Sequence, residues 1–192
     1  MERVRALPLE ATWDSGEDES ALVEAARSDP SAFDPLYQRY LTPIYRYLRV
    51  RVRDAEDAAD LTQQVFLKVF EALPHHEDRG LPFGAWVFRV AHNAVVDASR
   101  TTHPSLPLDE LPEAREPMFP DQPELAALAA DALASFRQLI APLDVERRDL
   151  LTLRFVAELP TAEIAVVLGK RDDAVRAQLS RALATLKEIH HG

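Results

Sequence analysis

The side chains best suited to chemistry in this sequence form a polar face on the helix predicted between residues 54 and 70. Asp60, Gln63, Gln64 and Lys68 recur there at helical spacing, so we expect them on one side of that helix. Glutamine amides offer both donors and acceptors, and the aspartate and lysine add opposite charges. Such a face is suited to binding a polar surface. On a helix taken alone, a solvated face without a partner is the alternative interpretation.

Cationic and hydrogen-bonding side chains also lie along two other predicted helices. The first set belongs to a helix expected over residues 83–100: Arg89, His92, Asn93 and Arg100. The second set belongs to the last helix of the chain: Arg171, Arg176, Gln178 and Arg181. Guanidinium groups bind phosphates and guanine edges, and glutamine can pair with adenine. The family resemblance described below is what implies contacts with DNA for both sets.

Catalytic and metal-binding chemistry has little support in the sequence. The chain has no cysteine, which removes thiol nucleophiles, thiolate metal sites and disulfides. Adjacent His75 and His76 lack the helical spacing of a ligand pair, and no glycine-rich phosphate loop is present. We predict no catalytic residue, no metal and no cofactor, so an enzyme is the least supported class.

The location of the protein is also constrained by composition. The N-terminus has no apolar core of signal-peptide length, and no apolar run approaches the ~20 residues of a membrane helix. The absence of cysteine fits a reducing compartment. We expect a cytoplasmic protein.

The net charge of −10 argues at first against a nucleic-acid partner, but the acidity is unevenly distributed. Residues 1–19 carry 2 basic and 6 acidic side chains, and residues 101–142 carry 2 and 7. By contrast, residues 20–100 carry 10 and 11, and residues 143–192 carry 8 and 8. The two parts that look folded are therefore close to neutral.

Helical periodicity and breaker residues predict an all-α fold of two small helical domains joined by a proline-rich acidic linker. Residues 1–19 read as a disordered acidic tail, and residues 20–100 as the first domain. Six prolines mark residues 101–123 as the linker, and the second domain covers residues 124–192.

Local signals set the helix boundaries. In the first domain we expect a short helix from about Ser20 to Ser28, a kink or new start at Pro43, and a cap at Asp54. In the second domain Asp144 caps a helix, and Gly169 suits the positive φ of a turn.

The segment around this turn has a further pattern. A short helix, a glycine turn and a longer helix from about residue 172 are typical of a helix-turn-helix, although any three-helix bundle can show the same order. Apolar residues should hold its two helices together: Ala165, Val167, Leu168, Val175, Leu179 and Leu183.

Three blocks in this order resemble bacterial RNA polymerase sigma factors of the short extracytoplasmic-function (ECF) type. They are DAEDAADLTQQVFLKVF at residues 54–70, FGAWVFRVAHNAVVDASR at 83–100, and LRFVAELPTAEIAVVLGKRDDAVRAQLSRAL at 153–183. The resemblance covers roughly residues 20–100 and 124–188. It implies a sigma region two and a sigma region four, and a protein that directs core polymerase to promoters.

The resemblance also implies partners for each polar set. The face of Asp60, Gln63, Gln64 and Lys68 would dock on the clamp helices of the polymerase β′ subunit, and region four would contact the β flap. The helix of residues 83–100 would handle the downstream, minus-ten promoter element. The last helix would enter the major groove of the upstream, minus-thirty-five element. Many factors of this type are also held by an anti-sigma protein.

The sequence departs from the family pattern where positive charge is usual. TTHPSLPLDE follows Arg100 in place of several arginines, His92 and Gln178 stand where arginine is frequent, and Ala174 replaces a typical threonine. We therefore expect weak DNA binding by the isolated protein. Two alternatives stay open at this point: a sigma-like regulator that has lost promoter reading, and a plain dimeric helix-turn-helix regulator.

Overall fold

The computed structural model describes residues 17–76, 80–101 and 123–191. Within these ranges it contains α-helices, two short 3-10 turns and no strand, which confirms the all-α prediction. The α-helices are α1 (Glu17–Ser28), α2 (Asp34–Arg51), α3 (Ala55–Ala72), α4 (Phe83–Thr101), α5 (Pro123–Ile140), α6 (Val145–Phe155), α7 (Thr161–Leu168) and α8 (Asp172–His191). Most of the predicted tail (1–16) and of the predicted linker (102–122) lies outside the described residues.

Local caps begin and end the helices where the sequence predicted them. The carboxylate of Asp54 accepts a hydrogen bond from the backbone N–H of Asp57 at 2.8 Å, at the start of α3. Asp144 caps α6 in the same way, through the N–H of Arg147 at 2.9 Å. Gly169 ends α7 with a φ of 63°, which glycine adopts without steric cost.

Two boundaries differ from the prediction. The first helix begins at Glu17, three residues earlier than expected, because Glu19 is buried and accepts a hydrogen bond from the Tyr40 hydroxyl. Pro43 does not begin a new helix, because α2 runs unbroken past it. Tyr40, Ile44 and Tyr47 are buried on both sides of Pro43, so packing holds the helix together despite the missing backbone donor.

Aromatic side chains form much of the core of the first unit, α1 to α4. Tyr37 packs edge-on against Phe66 with ring centroids 4.7 Å apart, and Tyr47 meets Phe88 at 5.8 Å. These rings join the apolar faces of α2, α3 and α4, which are the elements that carry the first two polar sets.

The second unit contains the predicted helix-turn-helix, with α7, the Gly169 turn and α8 packed against α6. Ala165, Val167 and Val175 are buried there, and Leu168 and Leu179 are partly buried, in agreement with the sequence. Leu183 was assigned to the same contact wrongly. It is 42% exposed, because the face of α8 that it occupies has turned away from α7 by this point of the helix.

The two units pack against each other. Leu153 of α6 and Ile164 of α7 belong to one apolar cluster with residues of α2, α3 and α4, and α7 lies directly on α4. At a second contact, Val50 of α2 joins Ile140 and Leu143. Packing between the units was not predicted from the sequence. No described helix is both long enough and apolar enough to cross a membrane.

Candidate functional site

The polar face predicted on α3 lies open to solvent. Asp60, Gln63, Gln64 and Lys68 are all exposed along one side of the helix. The opposite side is buried in the core, through Leu61, Val65, Phe66 and Val69 among others. The structure therefore brings these four residues onto one accessible surface.

Two large apolar side chains of α3 are also exposed, and sequence reasoning missed them. Leu67 is 58% exposed and Phe70 is 40% exposed. Leu67 directly precedes Lys68, and Phe70 packs edge-on against Phe33 with centroids 5.2 Å apart. Their helical positions beside the glutamines, outside the buried register, are the signal that could have identified them. They add apolar contact area to a polar face.

The four candidates on α4 have different surroundings. Arg89 and Asn93 are exposed, whereas His92 is half-buried. Nδ1 of His92 lies 3.2 Å from the Tyr47 hydroxyl and 3.9 Å from a carboxylate oxygen of Asp149 on α6. Burial and the nearby Arg51 guanidinium lower the pKa of His92. Arg100 lies in the last turn of α4, and its side chain is outside the described part of the structure.

Trp86 occupies the first half of α4 beside this set. It is half-buried in an aromatic cluster. The centroid of its ring lies 4.3 Å from the ring centroid of His76 and 5.3 Å from that of Phe83. His76 therefore packs as an aromatic ring. Among the described residues, no group of three or more potential ligand side chains is arranged to hold a metal ion.

Two of the three predicted arginines, one directly before α8 and one within it, pair with acids of the first turn of α8. Arg171 donates to both carboxylate oxygens of Asp173, at 3.1 and 2.8 Å. Arg176 lies 2.5 Å from Asp172, one turn away. Arg181 is exposed further along the helix. These pairs satisfy cations that would otherwise be available to phosphate.

Gln178 is held within a small polar group that joins three elements. Its amide nitrogen donates to Glu146 of α6 at 3.3 Å, and its amide oxygen accepts from Lys170 of the turn at 3.0 Å. Lys170 also donates to Glu146, and this hydrogen bond lowers the pKa of the Glu146 carboxyl. Sequence reasoning missed Glu146 and Lys170 in this role, because they lie 24 residues apart along the chain.

Comparison with known proteins connects this geometry to families. Residues 36–103 match the Sigma-70 region 2 family, and residues 133–186 match the Sigma-70, region 4 family. The first match contains the candidates on α3 and α4, and the second contains those on α8. The two family matches therefore cover all three candidate surfaces.

Curated relatives are similar to the chain over most of its length. The chain is 32% identical over 176 residues to the ECF RNA polymerase sigma factor SigD of Mycobacterium tuberculosis, covering 88% of this chain and 82% of SigD. It is 34% identical over 175 residues to the ECF factor ShbA of Streptomyces griseus, covering 86% and 91%. The ECF factor BldN of Streptomyces coelicolor is 32% identical over 171 residues, and the chain spans 64% of its length.

A solved structure shares the fold. CnrH, determined in complex with the cytosolic domain of CnrY, superposes with a TM-score of 0.68 at 25% sequence identity. The superposition covers 89% of this chain and 96% of CnrH. Both helical units of the chain therefore have a counterpart in an experimentally determined protein.

Proposed function

The chain belongs to the ECF class of RNA polymerase sigma factors, and we propose that its three polar helix faces divide the work of that class. As a sigma factor it binds core RNA polymerase and directs promoter-specific transcription initiation. The proposal concerns which residues perform each step.

We assign polymerase docking to the α3 face. Asp60, Gln63, Gln64 and Lys68 are exposed together on a helix whose other side is anchored in the core. This single observation carries the proposal, because a rigid helix with several fixed donors and acceptors can bind a partner with little ordering cost. We propose the β′ clamp helices as the partner of this face and the β flap as the partner of region four.

We assign promoter contacts to α4 and α8. Arg89 and Asn93 of α4 are exposed and suited to a strand of the minus-ten element, with His92 and Arg100 beside them. For α8 we propose entry into the major groove of the minus-thirty-five element. The exposed guanidinium groups of that helix support this role: Arg171, Arg176 and Arg181. In this proposal the hydrogen bonds of Gln178 with Lys170 and Glu146 break, and its amide then contacts a base edge.

The domain organisation follows from these roles. We propose a region-two unit at residues 20–100, a region-four unit at 124–192, a linker at 101–123 and an acidic tail at 1–19. The protein acts by binding, and the polymerase carries out the chemistry of RNA synthesis, so we propose that this chain is not an enzyme. Its polymerase partner supports a cytoplasmic location.

A protein inhibitor is a further proposed partner. CnrH, which shares the fold, was solved with the cytosolic domain of CnrY bound to it. We propose that this chain also takes a regulatory protein of the anti-sigma kind.

The docking assignment can be tested by capture of purified core RNA polymerase. The wild-type chain is compared with Gln63→Ala/Gln64→Ala, and with Gln38→Ala/Gln138→Ala as a matched control on exposed glutamines of α2 and α5. We expect the first pair to weaken capture at least about tenfold, as the loss of central interface residues usually does, and the control pair to leave it unchanged.

Equal capture by all three proteins would contradict the docking face. Circular dichroism of each variant separates a docking defect from a folding defect.

A further inference from the structure

One ion pair connects the two regions in their interior. Arg51, at the end of α2, pairs with Asp149 of α6. Their side chains are only 10% and 9% exposed. Ionised side chains are rarely buried to this extent unless they are paired, and the partners here come from different sigma regions.

Two further side chains of region two, His92 and Tyr47, lie around this carboxylate. Arg148 of α6 lies close enough to Arg51 to lower its pKa. His92 Nδ1 lies 3.9 Å from Asp149, and the Tyr47 hydroxyl lies 3.2 Å from the same nitrogen. Burial lowers the pKa of Arg51 and raises that of Tyr47 to about 12, which keeps the tyrosine hydroxyl protonated. Region two therefore forms a pocket of donors, and region four supplies the anion inside it.

The pocket lies next to residues assigned to DNA. His92 is one turn from Arg89 and adjacent to Asn93, both exposed on α4. In the packed arrangement the His92 side chain is 16% exposed and its Nδ1 lies 3.9 Å from Asp149, so Arg89 and Asn93 are more accessible than His92 to a strand that follows α4. Separation of the regions would open Arg51 and His92 to the same strand.

The energetics of buried ion pairs make such an exchange feasible. Burying two charges costs desolvation energy that their mutual attraction only roughly repays. A phosphate is as good a partner for a guanidinium as a carboxylate, and often binds it through two parallel hydrogen bonds. For the ion pair itself, replacement of Asp149 by a phosphodiester at Arg51 therefore costs little, and the main cost of separation is the loss of apolar contacts between the regions.

We propose that Arg51 and His92 form an anion site for a backbone phosphate of the promoter strand, and that Asp149 occupies this site when the two regions are packed together. The inference rests on the proposed promoter role of α4. It makes region packing and strand binding at this site mutually exclusive. Asp149 then acts as a competitor for the strand within the same chain.

The test uses the full chain with a distance reporter. Because the chain has no cysteine, Ala72→Cys on α3 and Ala184→Cys on α8 provide two exposed labelling positions, one in each region. Energy transfer between the dyes reports the packing. Binding of a mixed-sequence, 20-nucleotide single-stranded DNA is followed in parallel by anisotropy.

Two single variants distinguish an anion site from a simple structural contact. Asp149→Ala and Arg51→Met each leave one buried charge unpaired, so we expect both to open the regions, with the packing equilibrium shifted at least about tenfold. Only Asp149→Ala keeps the anion site. We expect it to bind the DNA several-fold more tightly than the wild type, and Arg51→Met to bind no more tightly than the wild type.

A double variant and a surface variant complete the set. Arg51→Met/Asp149→Leu replaces the pair with apolar groups and should keep the regions packed and DNA binding weak. Asp131→Asn removes an exposed acid of α5 and should change neither the energy transfer nor the DNA affinity. Asp149→Asn takes the place of Asp149→Ala if the alanine variant loses the circular dichroism of the wild type.

Three results would overturn the inference. The first is energy transfer in Asp149→Ala that equals that of the wild type. The second is equal DNA affinity of Asp149→Ala and Arg51→Met. The third is an Asp149→Ala variant whose regions have separated but whose DNA affinity does not exceed that of the wild type. Capture of core polymerase by each variant is measured separately.

The promoter role of α4 is tested with Arg89→Ala/Asn93→Ala, which should weaken DNA binding. Unchanged binding by that variant would refute the promoter role, whereas the three results above refute only the anion site, so the two failures can be told apart.

Discussion

The α3 face and the α8 face are both assigned to macromolecular partners, but the structure presents them in different states. On α3 the side chains of Asp60, Gln63, Gln64 and Lys68 reach solvent. On α8, Arg171 and Arg176 are paired with Asp173 and Asp172. Docking on polymerase therefore needs no rearrangement of these pairs, whereas DNA binding must exchange carboxylate partners for phosphate.

Reversing the charges on the open face should give the largest effect. Asp60→Lys/Lys68→Glu keeps the net charge of the chain. Each new side chain then faces a part of the partner surface that is complementary to the original, opposite charge. We expect capture of core polymerase to fall by about tenfold or more, because like charges across an interface cost several kcal/mol. Duplex DNA binding by α8 should stay unchanged. The measurement is a titration of labelled chain with core polymerase.

Loss of duplex binding together with loss of capture would show that the two faces are not independent. The matched control is Glu71→Gln, an exposed acid near the end of the same helix.

Removing the acids of α8 should have a smaller effect of opposite sign. Asp172→Asn/Asp173→Asn releases Arg171 and Arg176 and removes two negative charges next to the DNA backbone. We expect duplex affinity to rise about threefold to tenfold at low salt, with a steeper salt dependence because more phosphates are neutralised. Fluorescence anisotropy across a salt series measures both quantities.

Glu188→Gln removes an exposed acid near the far end of α8 and serves as the control for this variant. An equal gain from Glu188→Gln would mean that net charge, and not release of the two arginines, sets the affinity. We expect a small loss of thermal stability from Asp172→Asn/Asp173→Asn. An acid in the first turn interacts with the helix dipole and stabilises the helix by about 0.3–1 kcal/mol.

The smallest effect should come from the acid that holds Gln178. The pKa of Glu146 is lowered in the fold, so its ionised form stabilises the protein above the unfolded-state pKa, and this contribution is lost as pH falls through the lower, folded-state pKa. Glu146→Gln should lower the melting temperature by about 1–3 °C at pH 7, as for an exposed ion pair. The difference from wild type should shrink below about pH 4.5.

A melting-temperature difference that is constant between pH 7 and pH 4 would contradict the ionised role of Glu146. Base preference gives a second measurement. If Gln178 reads adenine once released, Glu146→Gln should sharpen discrimination at a single promoter position.

Helix boundaries could be predicted from the sequence because their signals are local. Asp54, Asp144 and Gly169 each satisfy or end a helix within about four residues of their own position, and the structure has all three in those roles. The exposed face of α3 was predictable for a similar reason, since its spacing alone separates it from the buried side. Proline was less informative about helix starts, because α2 continues through Pro43 within a buried surface.

Contacts between the two regions could not be predicted, because they depend on which faces meet in three dimensions. His92 was assigned to DNA from its place on α4, but its neighbours Tyr47 and Asp149 come from two other helices. The one sequence signal for Asp149 is an acid directly before Leu150 and Leu151, in a helix whose apolar face is buried. A lone acid at such a position requires a partner, although the sequence does not show which one.

The pairing of Arg51 with Asp149 is a contact within one chain, since residues 102–122 join α4 to α5 covalently. A contact of this kind has an effective concentration that is fixed by the covalent connection and does not change on dilution. The balance between packed and separated regions is therefore the same in a cell that holds few copies of the protein as in one that holds many. Synthesis of more protein raises the number of molecules available to polymerase without changing the fraction in which Asp149 is displaced.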